Sequence, residues 1–190
     1  MKTFKEARGD TAVFTFGRFN PPTTGHEKLI DALAKEQGKN PGAPMYVYPS
    51  HSQNPKKDPL PHGRKVAYMK KMFPKYKRNI TVSRARNVFD IAVELHNKGH
   101  KAVVMVVGSD RVDEFANLLD KYNGVEGRHG FYGFDDIKVV SAGELDPGGD
   151  CHRLSSFNLN GLAGTFIMPY QYGTFSRMGQ GFVKYLLSLC

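Results

Sequence analysis

The stretch from Gly17 to His26 constrains this chain more than any other part of it. It follows an apolar run at residues 12–16, which predicts a buried strand, and it leads into an amphipathic run at residues 26–37, which predicts a helix. A turn between a strand and a helix start leaves backbone N–H groups free and lies at the positive end of the helix dipole. The stretch is therefore a candidate phosphate-binding turn.

Several side chains of this turn suit that interpretation. Phe19 and the paired prolines stiffen the turn, and Thr23 or Thr24 is a suitable residue to cap the helix. His26 falls in the first helical turn, where an imidazole can donate a hydrogen bond to a phosphoryl oxygen and stabilise charge that develops in a transition state. The alternative is an exposed or capping histidine without a chemical role.

Strand and helix patterns alternate along most of the chain. Strands are predicted at residues 12–16, 45–48, 80–82, 102–107 and 137–140, and helices at 26–37, 64–73, from Asn87 to Gly99, and 112–122. This alternation predicts an α/β fold, a Rossmann-like five-stranded parallel sheet with helices on both faces and ligands at the carboxyl ends of the strands. We expect this domain over residues 1–147 and an irregular C-terminal extension over 148–190.

Composition narrows the class of partner. The 190 residues carry a net charge of +9, which favours an anionic partner. The alternative is that the basic surface only keeps the protein soluble. Cys151 and Cys190 lack metal-ligand spacing and are expected to be free thiols, with a disulfide between them as the alternative. Neither a signal peptide nor a membrane span is indicated, so we expect a cytoplasmic protein and no membrane partner.

The turn also carries a family signature. Gly17, Phe19 and Pro21, followed by Thr23-Thr24-Gly25-His26, resemble the first signature of the nucleotidylyltransferase superfamily, which includes the nicotinamide-nucleotide and phosphopantetheine adenylyltransferases and the cytidylyltransferases. The resemblance implies transfer of a nucleoside monophosphate from ATP or CTP to a phosphorylated acceptor with release of pyrophosphate, usually with Mg²⁺. Nicotinamide mononucleotide is the slightly favoured acceptor, and no metal-binding residue is assigned.

The resemblance also implies roles for individual residues. His26 is expected to contact the triphosphate and stabilise the transition state, and the Thr23 hydroxyl to hold a phosphate oxygen. Lys65, near a helix start, is our preferred further phosphate ligand, with a solvated surface lysine as the alternative. A Gly-x-Asp at the end of the fourth predicted strand matches a second family feature, with helix capping by Ser109 or Asp110 as a compatible alternative. The nucleotide-site residues are Gly17, Arg18, Phe19, Asn20, Gly25, Gly108 and Asp110.

Residues 14–147 further resemble small stand-alone nucleotidylyltransferases of tailed bacteriophages, described as cytidylyltransferase-like, which implies the host cytoplasm as the compartment. The second family signature, with two hydroxyl residues and a later basic residue, is due soon after Pro147. Ser155 and Ser156 lack the basic residue, whereas Thr174-Phe175-Ser176-Arg177 has the expected spacing but comes late in the chain. Both segments are candidates for a divergent signature, and a tail altered by a changed reading frame is a third interpretation.

Two rival functions stay open. The incomplete second signature fits a nucleotide-binding or virion-associated protein with little catalytic activity. Residues 56–86 hold eleven Lys or Arg against a single acid, Asp58, which fits a nucleic-acid-binding module. We recognise no aromatic-interleaved platform for single strands in that segment, which counts against nucleic acid. The sequence does not indicate an oligomeric state.

Overall fold

A computed structural model describes residues 10–55 and 59–143 of the chain. Its strands are β1 (Thr11–Gly17), β2 (Met45–Pro49), β3 (Ala102–Val107) and β4 (Asp136–Ser141). Its α-helices are α1 (Thr24–Lys39), α2 (His62–Met72), α3 (Val88–Asn97) and α4 (Val112–Lys121), with short 3₁₀ helices at Pro74–Tyr76 and Ser109–Arg111. The predicted alternation of strands and helices is thereby confirmed.

The sheet is Rossmann-like. Within the described residues it has four strands, all parallel, in the order β2-β1-β3-β4. The order reverses between β1 and β3, and in folds of this kind ligands bind in the crevice at that point, beyond the carboxyl ends of the strands. The turn after β1 therefore begins at the edge of this crevice.

The register shows how the crevice opens. Pairing between β1 and β3 runs only as far as Phe14 opposite Met105, although both strands continue beyond these residues. At the next position the Thr15 hydroxyl donates a hydrogen bond to the Val106 carbonyl oxygen over 2.7 Å. Where the two strands separate, a side-chain hydrogen bond thus replaces the backbone hydrogen bonds between them.

Two hydrophobic cores cover the two faces of the sheet, as the prediction of helices on both faces requires. Successive strand residues point to opposite faces, so Val13 belongs to one core and Phe14 to the other. The first core packs against α1 and α2, and the second against α3 and α4. The first includes Val13, Ile30, Leu33, Met69, Val104 and Val106. The second includes Phe14, Ile91, Leu95, Met105 and Leu119.

The strand predicted at residues 80–82 is not formed, so the five-stranded prediction was wrong by one strand. Ile80 makes a single parallel bridge to Val47 at the outer side of β2. Val82 is already 70% exposed, and the next residue is held by other partners, since the Ser83 carbonyl oxygen accepts from His51 Nε2 at 2.7 Å. These contacts direct the segment away from the sheet before a second bridge can form.

Local signals at the helix ends were confirmed. The Asn87 side chain accepts a hydrogen bond from the Asp90 N–H at 2.9 Å and caps α3. Gly99 follows α3 with φ +89°, a left-handed conformation that glycine adopts readily. α2 ends at Met72, just before Pro74, as expected of a residue that cannot continue a helix.

Some predictions fall outside the described residues. These are the domain boundary at 147, the irregular tail, both cysteines, and the candidate residues Ser155, Ser156 and Arg177. Among the residues that are described, none of the helices combines the length and apolar character needed to cross a bilayer.

Candidate active site

The turn between β1 and α1 is built around a buried aromatic ring. Phe19 is fully buried and has φ +46°, a left-handed conformation that is uncommon for a bulky residue. Its ring lies against the preceding backbone, since a Cβ atom added to Gly17 would lie 3.1 Å from Phe19 Cε2. The ring also lies 4.9 Å from the His26 imidazole, centre to centre. Because Gly17 has no side chain, it leaves room for the buried Phe19 ring beside His26.

His26 is held in one tautomer by Thr23, the N-cap of α1. The Thr23 backbone N–H lies 2.9 Å from His26 Nδ1, and the Thr23 hydroxyl oxygen lies 2.8 Å from the same atom. A backbone N–H can only donate, so Nδ1 must be the unprotonated acceptor nitrogen, and the neutral ring carries its hydrogen on Nε2. The ring thus retains one N–H donor, which is what a phosphoryl oxygen requires.

The charge state of His26 agrees with this geometry. Burial lowers the pKa of His26 from 6.5 to about 4, because the charged imidazolium loses hydration inside the protein. Near neutral pH the ring is therefore neutral, as acceptance at Nδ1 demands. His26 can act as a hydrogen-bond donor without being a cation.

Thr23 has a clear positioning role. If its hydroxyl did not donate to Nδ1, two acceptors would face each other at 2.8 Å, so the hydroxyl proton is directed at the imidazole. The predicted contact between Thr23 and a phosphate oxygen stays a prediction. What the structure adds is that the same hydroxyl orients His26.

The other predicted residues of the turn differ in their surroundings. Arg18 is exposed, and Gly25 is buried within the first turn of α1. The Asn20 amide both donates to the Leu60 carbonyl oxygen at 3.2 Å and accepts from the Leu60 N–H at 3.3 Å. Asn20 therefore ties the turn to the segment that precedes α2, and its nucleotide contact stays a prediction.

The helix that follows the turn favours an anion. α1 has 16 residues, and its axis dipole places partial positive charge at Thr24 and the residues beside it. Phosphate groups bind readily at such positions because the first N–H groups of a helix lack partners within it. The His26 donor and this helix end lie in the same turn of backbone.

The carboxyl end of β2 joins the turn through Ser50. The Ser50 N–H donates to the Gly17 carbonyl oxygen at 2.8 Å, continuing the β1–β2 register by one residue. The Ser50 carbonyl oxygen accepts from Lys65 Nζ, also at 2.8 Å, and Lys65 is fully buried. Ser50 thus links Lys65 to the turn, and the ammonium donates to the backbone after β2, while the predicted phosphate contact of Lys65 stays a prediction.

Near this buried lysine, the rings of two histidines stack on each other. The rings of His51 and His62 lie 3.8 Å apart and are nearly parallel, at 9°. Burial first, and then the nearby charges of His51 and Lys65, lower the pKa of His62, outweighing a hydrogen bond to Pro49 that raises it. His62 was missed by the sequence analysis, and its place as the first residue of α2 is the signal that it lies near the strand ends.

The Gly-x-Asp segment follows β3, the neighbour of β1 in the sheet. Gly108 precedes the 3₁₀ helix, and the exposed Asp110 carboxylate lies 3.9 Å from Arg111 Nε. Neither the 3₁₀ helix nor α4 receives a side-chain hydrogen bond from its N-cap residue, so the capping alternative gains no support. The nucleotide-site roles of Gly108 and Asp110 stay predictions.

The sequence of this chain matches a known protein family. A family model described as cytidylyltransferase-like matches residues 14–158, which is most of the chain. The chain belongs to the cytidylyltransferase-like family. A comparison with curated proteins gave no significant match. Family membership confirms the resemblance to the nucleotidylyltransferase superfamily and supports a nucleotidyltransferase activity in general terms.

Proposed function

We propose that this chain transfers a nucleoside monophosphate from ATP or CTP to a small phosphorylated acceptor and releases pyrophosphate. An oxygen of the acceptor phosphate forms a bond to the α-phosphorus of the triphosphate. The bond from that phosphorus to the bridging oxygen of the β-phosphate breaks, and its electron pair leaves with pyrophosphate. Such a reaction depends on positioning and on stabilising charge, so it needs no protein nucleophile.

The observation that carries this proposal is the fixed tautomer of His26 at the start of α1. Thr23 occupies Nδ1 with two donors, which leaves the Nε2–H to donate to an oxygen of the reacting phosphates. A donor that is oriented before the reaction stabilises developing charge more effectively than water does. The helix dipole adds to this effect in the same place.

Mg²⁺ forms part of the proposal because the reaction handles a triphosphate. Among the described residues, no three side chains of His, Cys, Asp or Glu are grouped so as to hold a metal ion. Mg²⁺ commonly binds through substrate phosphates with few protein carboxylates. We assign no metal-binding residue, and the ion would neutralise charge on the phosphates.

Two substitutions of His26 test the proposal. Asparagine keeps an acceptor near the position of Nδ1 but removes the Nε2–H, whereas glutamine places an N–H donor near Nε2 and loses the Nδ1 acceptor. We expect H26N to lower kcat by about 100-fold to 1000-fold, the usual loss for a transition-state donor, with little change in KM, and H26Q to retain more of the activity.

The assay is pyrophosphate release with ATP or CTP and a panel of acceptors, with nicotinamide mononucleotide tried first. The same panel decides between adenylyl and cytidylyl transfer. If H26N turned over within about threefold of the unmodified chain, His26 would have no part in stabilising the transition state.

A second function, nucleotide binding with little transfer, is favoured by one sequence observation. Ser155 and Ser156 are not followed by the basic residue that the second family signature requires. Calorimetric binding of a triphosphate, together with no pyrophosphate release for any acceptor in the panel, would establish that function instead.

A further inference from the structure

Lys65 is a buried cation inside the α/β core, which is unusual for lysine. Its side chain is 0% exposed, and it shares the buried face of α2 with Val66 and Met69. Lysine is rarely buried completely unless its ammonium has polar partners, because the charge loses its hydration. The contacts of this ammonium therefore indicate what the residue does.

The ammonium lies against the backbone that leaves β2. Lys65 Nζ is 2.8 Å from the Ser50 carbonyl oxygen and 3.5 Å from both the Ser50 hydroxyl oxygen and the Ser52 carbonyl oxygen. An ammonium has three N–H donors, so one side chain can contact several oxygens of this short segment at once. Lys65 thus fixes the path of the chain where it enters the crevice.

Ser50 carries this constraint to the phosphate-binding turn. Its N–H donates to the Gly17 carbonyl oxygen at 2.8 Å, so a single residue, Ser50, links the ammonium to the first residue of the turn. Gly17 lies beside the Phe19 ring, since a Cβ atom added to it would lie 3.1 Å from that ring. That ring in turn lies against His26. A shift of Ser50 would therefore reach the imidazole.

We propose that Lys65 is a positioning residue, which holds Ser50 and through it Gly17 and the turn that carries His26, and is not a ligand of the triphosphate. The side chain is 0% exposed, so to reach a phosphate the ammonium would have to move out of the core and leave the Ser50 carbonyl oxygen, a buried acceptor that is costly to leave unpaired. This inference rests on the proposed function only where turnover is measured. The structural part of its test needs no substrate.

The test compares K65M with K71M. Methionine keeps the length of the lysine stem and removes the ammonium, and Lys71 is an exposed lysine of the same helix, so K71M controls for loss of one charge. Amide hydrogen exchange of Ser50 is measured in the free protein. We expect exchange to be about tenfold faster in K65M, because its carbonyl anchor is lost, and unchanged in K71M.

Turnover gives the second measurement. A misplaced catalytic group lowers kcat, so we expect K65M to lose roughly 10-fold to 100-fold in kcat with the KM for the triphosphate changed by less than about threefold. K65R, which restores a buried cation with donors, should recover part of kcat. Unchanged Ser50 exchange in K65M, or a large rise in KM with kcat unaltered, would overturn the proposal in favour of a phosphate ligand.

The unmodified protein gives the answer if K65M does not fold. We expect α,β-methylene-ATP or its CTP counterpart to leave Ser50 exchange unchanged or slower. Faster Ser50 exchange on binding would mean that Lys65 leaves Ser50 for a phosphate, which overturns the proposal. If the unmodified chain shows no turnover, the proposed function fails, while the exchange measurements still decide the role of Lys65.

Discussion

Lowering the pH should destabilise the fold through His26, and the size of the effect follows from its environment. Burial lowers the pKa of His26 from 6.5 to about 4, whereas the unfolded chain keeps the ordinary value. The folded state therefore binds fewer protons, so this contribution to stability is complete above pH 6.5 and is lost as the pH falls toward 4. The loss is about 2 kcal/mol between pH 7.5 and 5, and about 3 kcal/mol by pH 4.

The physical cause can be separated from other acid effects with H26N. Its amide oxygen can accept from the Thr23 N–H as Nδ1 does, but it does not titrate. The measurement is urea unfolding of both proteins at pH 7.5, 6 and 5, since every other titrating group is common to the two. The unmodified chain should lose about 2 kcal/mol more than H26N by pH 5. Parallel curves that differ by less than about 0.5 kcal/mol would refute the assignment of His26 as a partly buried neutral acceptor.

Two further predictions concern the strands that lead to the crevice. G17A should destabilise the fold by about 1–3 kcal/mol, because its new methyl group meets the fully buried Phe19 ring. G38A is the control and should be neutral or stabilising, because no atom lies within 4 Å of the added Cβ. Urea unfolding checks both, and equal effects would show that the ring yields easily. T15V should cost about 1 kcal/mol by removing the hydroxyl that donates to the Val106 carbonyl oxygen, and T15S should cost less. The reasoning would be contradicted if thermal unfolding showed T15S to be less stable than T15V.

The parts of the fold that depend on residues close together in the sequence were predictable. The turn from Gly17 to His26 lies between a strand and a helix as expected, and Asn87 caps α3, because periodicity and capping are local properties. The strand predicted at 80–82 did not form, because strand pairing is not a local property of the sequence. A strand exists only if a neighbour pairs with it, and only Ile80 makes a bridge to β2 in the described structure.

The candidate site was predictable in part. The first signature located His26, but the contacts that orient the site join distant residues, such as Asn20 with Leu60 and Thr15 with Val106, and no local pattern records them. The burial of Lys65 did have a signal, since it precedes Met69 by four residues and so lies on the same face of α2. Because Lys65 is charged and α2 carries other lysines, this spacing was not recognised as a sign of burial.

The short contact between Ile80 and β2 has a consequence for how this molecule behaves among copies of itself. An open strand edge offers unpaired N–H and C=O groups to other chains and promotes aggregation. On the outer side of β2, Val47 donates to the Asn79 carbonyl oxygen and accepts from the Thr81 N–H, and the Met45 carbonyl oxygen accepts from the Asn79 amide. The strand ends at Pro49, which has no N–H to offer. These contacts and the proline leave few unpaired backbone groups on this side of β2, which disfavours edge-to-edge association there.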